Sequence, residues 1–179
     1  MIALQITSSK DFMGKLLASD MFDLFLMSEA QVVTANGYTI DGRMQKAFFT
    51  EEEWSDPEIR AYELAQWKDM KSVIFSMIKG KHTPVRFQIV LQLKPEWKNR
   101  ILQTAEKNAG ENSIEKQETE DSASGIISSL QLNVRYENGQ TSLVTAVAYS
   151  GFSMDKEPEH KWDGWMKNFL AEKGIAFEE

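Results

Sequence analysis

The sequence contains no cysteine. This absence excludes disulfide bridges, thiolate nucleophiles and cysteine-ligated metal sites. Histidine is almost as scarce, since only His82 and His160 occur and 78 positions separate them. A histidine-rich metal site is therefore excluded too, and we predict neither a metal nor a cofactor.

Long apolar runs are also missing. No window approaches the 18 consecutive apolar residues that a membrane-spanning helix needs. Residues 1–5 show no basic region followed by an apolar stretch, so they do not resemble a secretory signal. We therefore expect a cytoplasmic protein without a membrane partner.

Familiar signatures of catalysis are missing as well. The sequence has no phosphate-binding P-loop and no Gly-x-Gly-x-x-Gly fingerprint. Segment 151–155 begins like a nucleophile elbow but ends in Asp155, where that motif needs glycine. No catalytic residue is predicted. Enzymatic activity has no positive support, although a general acid or base needs no local signature.

The composition that remains is typical of a folded protein, with 42% hydrophobic and 11% aromatic residues. The 27 acidic and 20 basic residues give a formal net charge of −7. This charge argues against general coating of nucleic acid but is compatible with a local basic face. A chain of 179 residues can bury one core, and we predict a single domain over residues 1–179.

The order of predicted elements occurs twice, in pseudo-repeats at about 1–80 and 84–179. Each half has a strand, an amphipathic helix, a hairpin closed by Asn-Gly and a second helix. In the first half these are Ile2–Thr7, Ser9–Ala18, Asn36-Gly37 and Pro57–Lys79. In the second they are Val85–Leu93, Pro95–Asn108, Asn138-Gly139 and Pro158–Lys173. The predicted fold class is α+β, with two β-α-β-β-α halves and a largely antiparallel sheet.

An acidic stretch separates the helix and the hairpin of the second half. Residues 107–124 are rich in Glu, Ser and Asn, which predicts a mobile loop. The two Asn-Gly turns are 102 positions apart, whereas the first strands are about 83 apart. Removing the acidic stretch brings the halves nearly into register. Common patterning without duplication remains an alternative.

Several local details can be predicted from turn and cap chemistry. Both Asn-Gly pairs suit type I′ turns, and the second turn would pair Val134 with Leu143. The apolar alternation breaks across Ser28-Glu29, which predicts a bulge. Residues 51–53 are predicted to form a solvated turn. Segment 55–58 is predicted to start the long helix, with a capping serine and an early proline.

The densest basic cluster lies between the two halves. It consists of Lys79, Lys81, His82 and Arg86. Clustered ammonium and guanidinium groups bind phosphate and other anions, so these residues are anion-binding candidates. The alternative is an ordinary helix end, because lysine complements the helix dipole and glycine and proline stop a helix.

His160 and Asp163 would share one face of the C-terminal helix. Their i, i+3 spacing is compatible with an acid–base pair. We favour the simpler interpretation, in which this segment is a helix start with polar residues outside and Trp162 inside.

Five segments together resemble an uncharacterised family of small bacterial proteins, a domain of unknown function. They are residues 2–4, 28–30, 40–43, 78–84 together with 87–90, and 160–163. The resemblance extends over nearly the whole length. It implies no activity, cofactor or catalytic residue.

The repeated order of elements also resembles the modules of DNA sliding clamps. In clamps the helix after each module's first strand faces DNA. The resemblance implies nucleic-acid-facing roles for Lys10, Lys15, Lys94, Lys98 and Arg100. Each half here ends in a helix, where a clamp module would continue with strands. A chain of this size would also need a protein partner or homo-oligomer to encircle a duplex.

Three functional hypotheses follow. The leading one is a non-enzymatic binding or scaffold protein, clamp-like and DNA-associated. The alternative is a small-molecule or phosphate-ligand protein, or an enzyme, that uses the Lys79–Arg86 segment with His82 or His160. The third is a protein-interaction module with an exposed apolar patch on the C-terminal helix or an uncovered edge strand.

Overall fold

Alternation of apolar and polar side chains along the strands decides which face of the sheet is buried. The computed structural model describes residues 1–103 and 126–179. In the central strand β5, Phe87, Ile89, Leu91 and Leu93 are buried, whereas the intervening side chains are not. Because successive strand residues point to opposite faces, one face is apolar throughout and the other is mostly polar.

The described strands form one antiparallel sheet with the order β3-β2-β5-β6-β7-β1-β8, and β4 pairs with β2 off this path. Their bounds are β1 Ala3–Ile6, β2 Phe25–Val33, β3 Gly37–Asp41, β4 Ala65–Gln66, β5 Arg86–Leu93, β6 Ile127–Glu137, β7 Gln140–Tyr149 and β8 Phe177–Glu178. The α+β class and the antiparallel sheet are therefore confirmed.

The described helices are α1 Ser9–Ala18, α2 Glu51–Ser55, α3 Trp67–Ile78, α4 Pro95–Gln103 and α5 Glu157–Glu172. All of them except α2 contribute apolar side chains to the buried core. Phe22 lies at the centre of the aromatic core, with ring centroids 5.8 Å from Phe12 and 5.5 Å from Phe169. Among these described helices, none is long and apolar enough to cross a membrane.

Two buried indoles are satisfied by backbone carbonyls. The Trp67 Nε1–H donates to the Leu16 carbonyl at 3.1 Å, and that of Trp162 donates to the Gln131 carbonyl at 2.9 Å. A buried N–H without a partner would cost stability, so these bonds fix how α3 meets α1 and how α5 meets the sheet.

The second hairpin is confirmed in detail. Asn138 and Gly139 have φ values of 53° and 81°, as a type I′ turn requires. Val134 pairs with Leu143. The predicted bulge is confirmed too, since the β2–β5 register shifts between Met27 and Glu29.

The type I′ turn predicted for the first hairpin, at Asn36-Gly37, was wrong. Neither Asn36 nor Gly37 has a positive φ, and Gly37 pairs with Val33 as the first residue of β3. The connection therefore has three residues, 34–36. The Thr34 N–H donates to the Asn36 carbonyl at 2.9 Å, which closes the loop without a left-handed residue.

The predicted helix over Pro57–Lys79 was also wrong in its first half, because strand pairing competes with helix formation there. Ala65 pairs with Met27, and its N–H donates to the Gly42 carbonyl at 2.7 Å. The Asp56 carboxylate accepts from the Glu58 N–H at 2.8 Å and forms a local turn. The α3 helix consequently begins only at Trp67.

Residues 51–53 are helical rather than a solvated turn. Thr50 and Glu53 form a reciprocal capping box, in which the Thr50 Oγ1 accepts from the Glu53 N–H and the Glu53 carboxylate accepts from the Thr50 N–H. The acidic first turn of α2 also complements the helix dipole.

The two halves share an order of elements but differ in strand pairing. β5 lies between β2 and β6, whereas β1 lies between β7 and β8. β5 thus pairs with its own hairpin and β1 does not. The internal duplication stays a prediction. The predicted mobile loop at 107–124 and the predicted end of α4, residues 104–108, lie outside the described residues.

Gly42 is the point of closest backbone approach beside the sheet. A Cβ atom on this buried residue would lie 1.8 Å from the Met27 carbonyl oxygen. Backbone cannot move aside as a flexible side chain can, so glycine is required at this position.

We expect Gly42→Ala to lower the free energy of unfolding by about 3 kcal/mol or more, because the added methyl group displaces β2 backbone. Gly14→Ala is the matched control. A Cβ on Gly14 meets nothing within 4 Å, and alanine should stabilise α1 by roughly 0.5–1 kcal/mol. Urea unfolding of both variants tests this, and an equal effect of the two would contradict it.

Asp163 anchors α5 to β7 and to the N-terminus through a largely buried carboxylate. Its Oδ1 accepts from the Thr145 hydroxyl at 2.5 Å, and its Oδ2 lies 2.8 Å from the Met1 ammonium. Burial alone would lower the pKa of this amino group, but hydrogen bonds and charge from Asp163 and Glu159 outweigh burial and raise it.

We expect Asp163→Asn to lower the free energy of unfolding by about 1–3 kcal/mol at pH 7 in a chain whose amino terminus is Met1. The raised pKa means that the ammonium contributes its stabilisation fully below pH 8.0, the value for the unfolded chain, and loses it as pH rises through the folded value. The difference between wild type and variant should therefore shrink at alkaline pH. Urea titrations at pH 7 and pH 10 measure it, and a constant difference would refute the coupling.

Candidate functional site

The main candidate site is a cleft of about 860 Å³ at one end of the sheet, which we call the basic cleft. It lies where the β1–α1 junction faces the connection from α3 to β5. Its lining residues are 5–10, Met13, 78–84, Phe87, Tyr136, 139–140 and Glu178.

Strand register brings these distant segments together. β1 runs antiparallel to β7, so Ile6 pairs with Thr141 beside the 138–139 turn. β5 runs antiparallel to β6, so Arg86 pairs with Glu137 beside the same turn. The end of β1 and the start of β5 therefore meet at one end of the sheet.

The start of α1 forms one wall of the basic cleft. Ser8 caps the helix, since its hydroxyl accepts from the Asp11 N–H at 3.4 Å. The Ser9 hydroxyl donates to the Gly139 carbonyl at 3.2 Å and accepts from Thr141 at 2.9 Å. These bonds hold the helix N-terminus against the β6–β7 turn.

Cations outnumber anions in the basic cleft. Lys10, Lys79, Lys81 and His82 line it, against a single carboxylate on Glu178. The side chains of Lys10, Lys81 and His82 have no hydrogen bond or ion pair within residues 1–103 and 126–179, and the Lys79 Nζ lies 5.9 Å from the Phe75 ring.

Four lysines elsewhere among the described residues form ion pairs. Lys15 pairs with Asp11, Lys71 with Asp23, Lys161 with Glu157 and Lys167 with Glu179. The cations of the basic cleft therefore differ from these paired lysines in being available to an external anion.

The basic cleft also has an apolar part. Ile6, Met13, Ile78, Phe87 and Tyr136 contribute to its walls. The rings of Phe87 and Tyr136 stack with centroids 5.0 Å apart and planes inclined by 6°. A cleft with an apolar part and a few polar groups is typical of small-molecule sites.

The structure brings together three of the four predicted anion-binding candidates. Lys79, Lys81 and His82 line the basic cleft, but Arg86 does not. Arg86 is the first residue of β5, and its side chain points to the face opposite Phe87, where it lines a depression with Arg135. Arg86 was grouped with these residues because it is close to them in sequence, but its side chain lies on the other face of the sheet.

The five predicted nucleic-acid-facing residues have different surroundings. Of the five, only Lys10 lines the basic cleft. Among the other candidates, the Lys15 Nζ donates to the Gly174 carbonyl at 2.8 Å, and the Lys98 Nζ donates to the Ile127 carbonyl at 2.9 Å.

Aromatic rings accompany the remaining two candidates. The Lys94 Nζ lies 5.5 Å from the Tyr62 ring centroid, and burial lowers the pKa of Lys94. The Arg100 guanidinium lies 5.1 Å from the Trp97 ring. These cations stabilise the fold locally through contacts of the cation–π type.

His160 and Asp163 do not form the acid–base pair considered above. Asp163 is engaged with Thr145 and Met1, and contrary to the favoured interpretation it is buried rather than outside. His160 does not line the basic cleft, so it does not join His82 there. The described residues contain no cluster of three or more His, Asp or Glu that could hold a metal.

A second cleft of about 1110 Å³ lies over the polar face of the sheet, under segment 43–64. Its charged side chains are partly used already. The Arg43 guanidinium donates to Asp41 Oδ1 at 3.1 Å and to Oδ2 at 2.9 and 2.7 Å, and these hydrogen bonds lower the pKa of Asp41. Arg60 also lines it, but the carboxylates of Glu29, Asp41 and Glu63 outnumber its two arginines. This second cleft is therefore a weaker anion site.

The fold and site define a class of protein: an α+β chain with one antiparallel sheet, helices on one face, and a basic cleft at the sheet end. The chain belongs to a family of unknown function, DUF5721, whose model matches residues 15–178. The resemblance to an uncharacterised family is therefore confirmed. The chain matches no curated protein and no solved structure, and the likeness to sliding clamps stays a prediction.

Tyr62 offers a test of the geometry beside the second cleft. Burial, together with the hydrogen bond that its hydroxyl donates to Glu96 at 2.7 Å, raises the pKa of Tyr62 to about 12. We expect Glu96→Gln to bring this pKa down towards 10, because the carboxylate's charge is removed. Ultraviolet titration of wild type and variant measures the shift. Tyr62→Phe, which lacks the titrating hydroxyl, identifies the Tyr62 transition, and identical titration curves for wild type and Glu96→Gln would contradict the prediction.

Proposed function

We propose that this protein binds a phosphate-bearing small molecule in the basic cleft. One observation carries the proposal. Lys10 and Lys81, which are far apart in sequence, line the same cleft together with Lys79 and His82 and have no ion pair with the described residues. Unpaired cations that converge on a concave surface are suited to an anionic ligand.

Hydrogen-bonding chemistry supports a phosphate in particular. Ammonium groups form short, charge-assisted hydrogen bonds with phosphate oxygens. The N-terminus of α1 adds the positive end of a ten-residue helix, and Ser8, Ser9 and Lys10 of that end line the cleft. The apolar walls give room for a further part of the ligand.

The clamp-like, DNA-associated form of the hypothesis has less support. It needs several cations of α1 and α4 to face a common duplex, but Lys15, Lys94 and Lys98 already have partners within the chain. The volume of about 860 Å³ also falls in the range of roughly 300–1,000 Å³ that is usual for small-molecule sites.

Calorimetric titration with inorganic pyrophosphate at low salt tests the proposal. We expect Lys81→Gln and Lys10→Gln each to weaken binding roughly tenfold, the scale of one charge-assisted hydrogen bond. Arg86→Gln is the matched control, because it removes a cation of the same sequence cluster that faces the other side of the sheet. Affinity should also fall as salt rises.

Two results would contradict the proposal. One is the absence of pyrophosphate binding by wild type at low salt. The other is an Arg86→Gln variant that loses as much affinity as Lys81→Gln. Fluorescence anisotropy with labelled single-stranded and duplex oligonucleotides completes the test. Oligonucleotide binding that is weakened by Lys98→Gln but not by Lys81→Gln would favour the DNA-associated hypothesis instead.

A further inference from the structure

We propose that the ligand of the basic cleft is a nucleotide, with its phosphates on the lysines and its base against Tyr136. This inference rests on the proposed function and specifies the class of ligand. It is drawn from the position of the Phe87–Tyr136 stack in the same cleft as Lys10, Lys79 and Lys81.

The Phe87–Tyr136 stack has an inner and an outer member. Phe87 is only 3% exposed, so it serves as backing for the ring above it. Tyr136 is partly exposed, lines the basic cleft and has no hydrogen bond from its hydroxyl to any described residue. A ring held parallel to a buried ring offers a rigid surface for a further planar group. Nucleic acid bases use aromatic side chains in this way, with little dependence on base identity.

The single carboxylate of the cleft favours a ligand that is more than a phosphate. Glu178 would repel an anion placed beside it, whereas it can accept hydrogen bonds from ribose hydroxyls or from an exocyclic amino group. Gln140 lines the same cleft and supplies both a donor and an acceptor. Both side chains are available for this, since neither has a hydrogen bond or ion pair to the described residues.

Size leads to the same conclusion. A pyrophosphate group would occupy a small part of a cleft of about 860 Å³. Most of the apolar side chains in its walls would then remain exposed to water. A ligand with a planar body would cover Met13, Ile78 and Tyr136 and remove their apolar surface from water. A lipid diphosphate shares the phosphate and the apolar body but lacks the planar ring and the hydroxyl groups.

Comparison of three diphosphates distinguishes these ligands: ADP, geranyl diphosphate and inorganic pyrophosphate. We expect ADP to bind at least about tenfold more tightly than pyrophosphate, the scale of one stacked base. Tyr136→Leu should remove this advantage, so that the variant binds ADP and pyrophosphate with similar affinities. Tyr136→Phe keeps the ring and should retain it. Lys81→Gln should weaken both ligands.

The outcomes separate the two proposals. If pyrophosphate binds and ADP binds no more tightly, or if geranyl diphosphate binds more tightly than ADP, the nucleotide inference is wrong and the proposed function stands. If none of the three binds, both are wrong. Comparison of AMP with ribose 5-phosphate on the wild-type protein gives a second measurement that does not depend on the folding of Tyr136→Leu, and equal affinities would overturn the inference.

Discussion

Burial of one face of a single antiparallel sheet is the constraint on which the other features depend. The alternation along β5, with Phe87, Ile89, Leu91 and Leu93 inside, determines which side the helices cover. The same alternation sends neighbouring side chains to opposite sides of the molecule. Phe87 reaches the basic cleft and Arg86 does not. The alternation of side chains between the two faces of the sheet thus decides which residues line the candidate site.

Elements with strong local chemistry could be predicted from the sequence. The α1 helix was predicted with its bounds because Ser8 caps it, and the second hairpin because Asn138 and Gly139 tolerate a positive φ. Elements that depend on distant partners could not. The pairing of β4 with β2 ends any continuation of α3 towards Pro57, and no local signal around residues 57–66 reveals that partner. The capping box at Thr50 was a signal present in the sequence, but it was missed in favour of a similar one at residues 55–58.

Only part of the basic cleft could be predicted, because part of it depends on strands that pair across long distances in the sequence. The cluster of Lys79, Lys81 and His82 is visible in the sequence, but its junction with Lys10 is set by the registers of β1 on β7 and of β5 on β6. The placement of Arg86 could have been inferred, since it alternates with Phe87 in a strand that was predicted. Tyr136 was not among the predicted site residues, and only the packing shows that it stacks on Phe87 beside the lysines.

The pairing of β1 with β7 has a consequence for the order in which the protein folds. It joins residues 3–6 to residues 141–144, so the contact closes a loop that spans residues 7–140. Closing so long a loop costs more conformational entropy than forming the hairpins and helices within it. We therefore expect β1 and the α1 N-terminus to dock late, onto a sheet that has already assembled. This docking supplies one wall of the basic cleft. A ligand of the cleft would therefore bind only after β1 and α1 have docked, and not to a state in which only the core has formed.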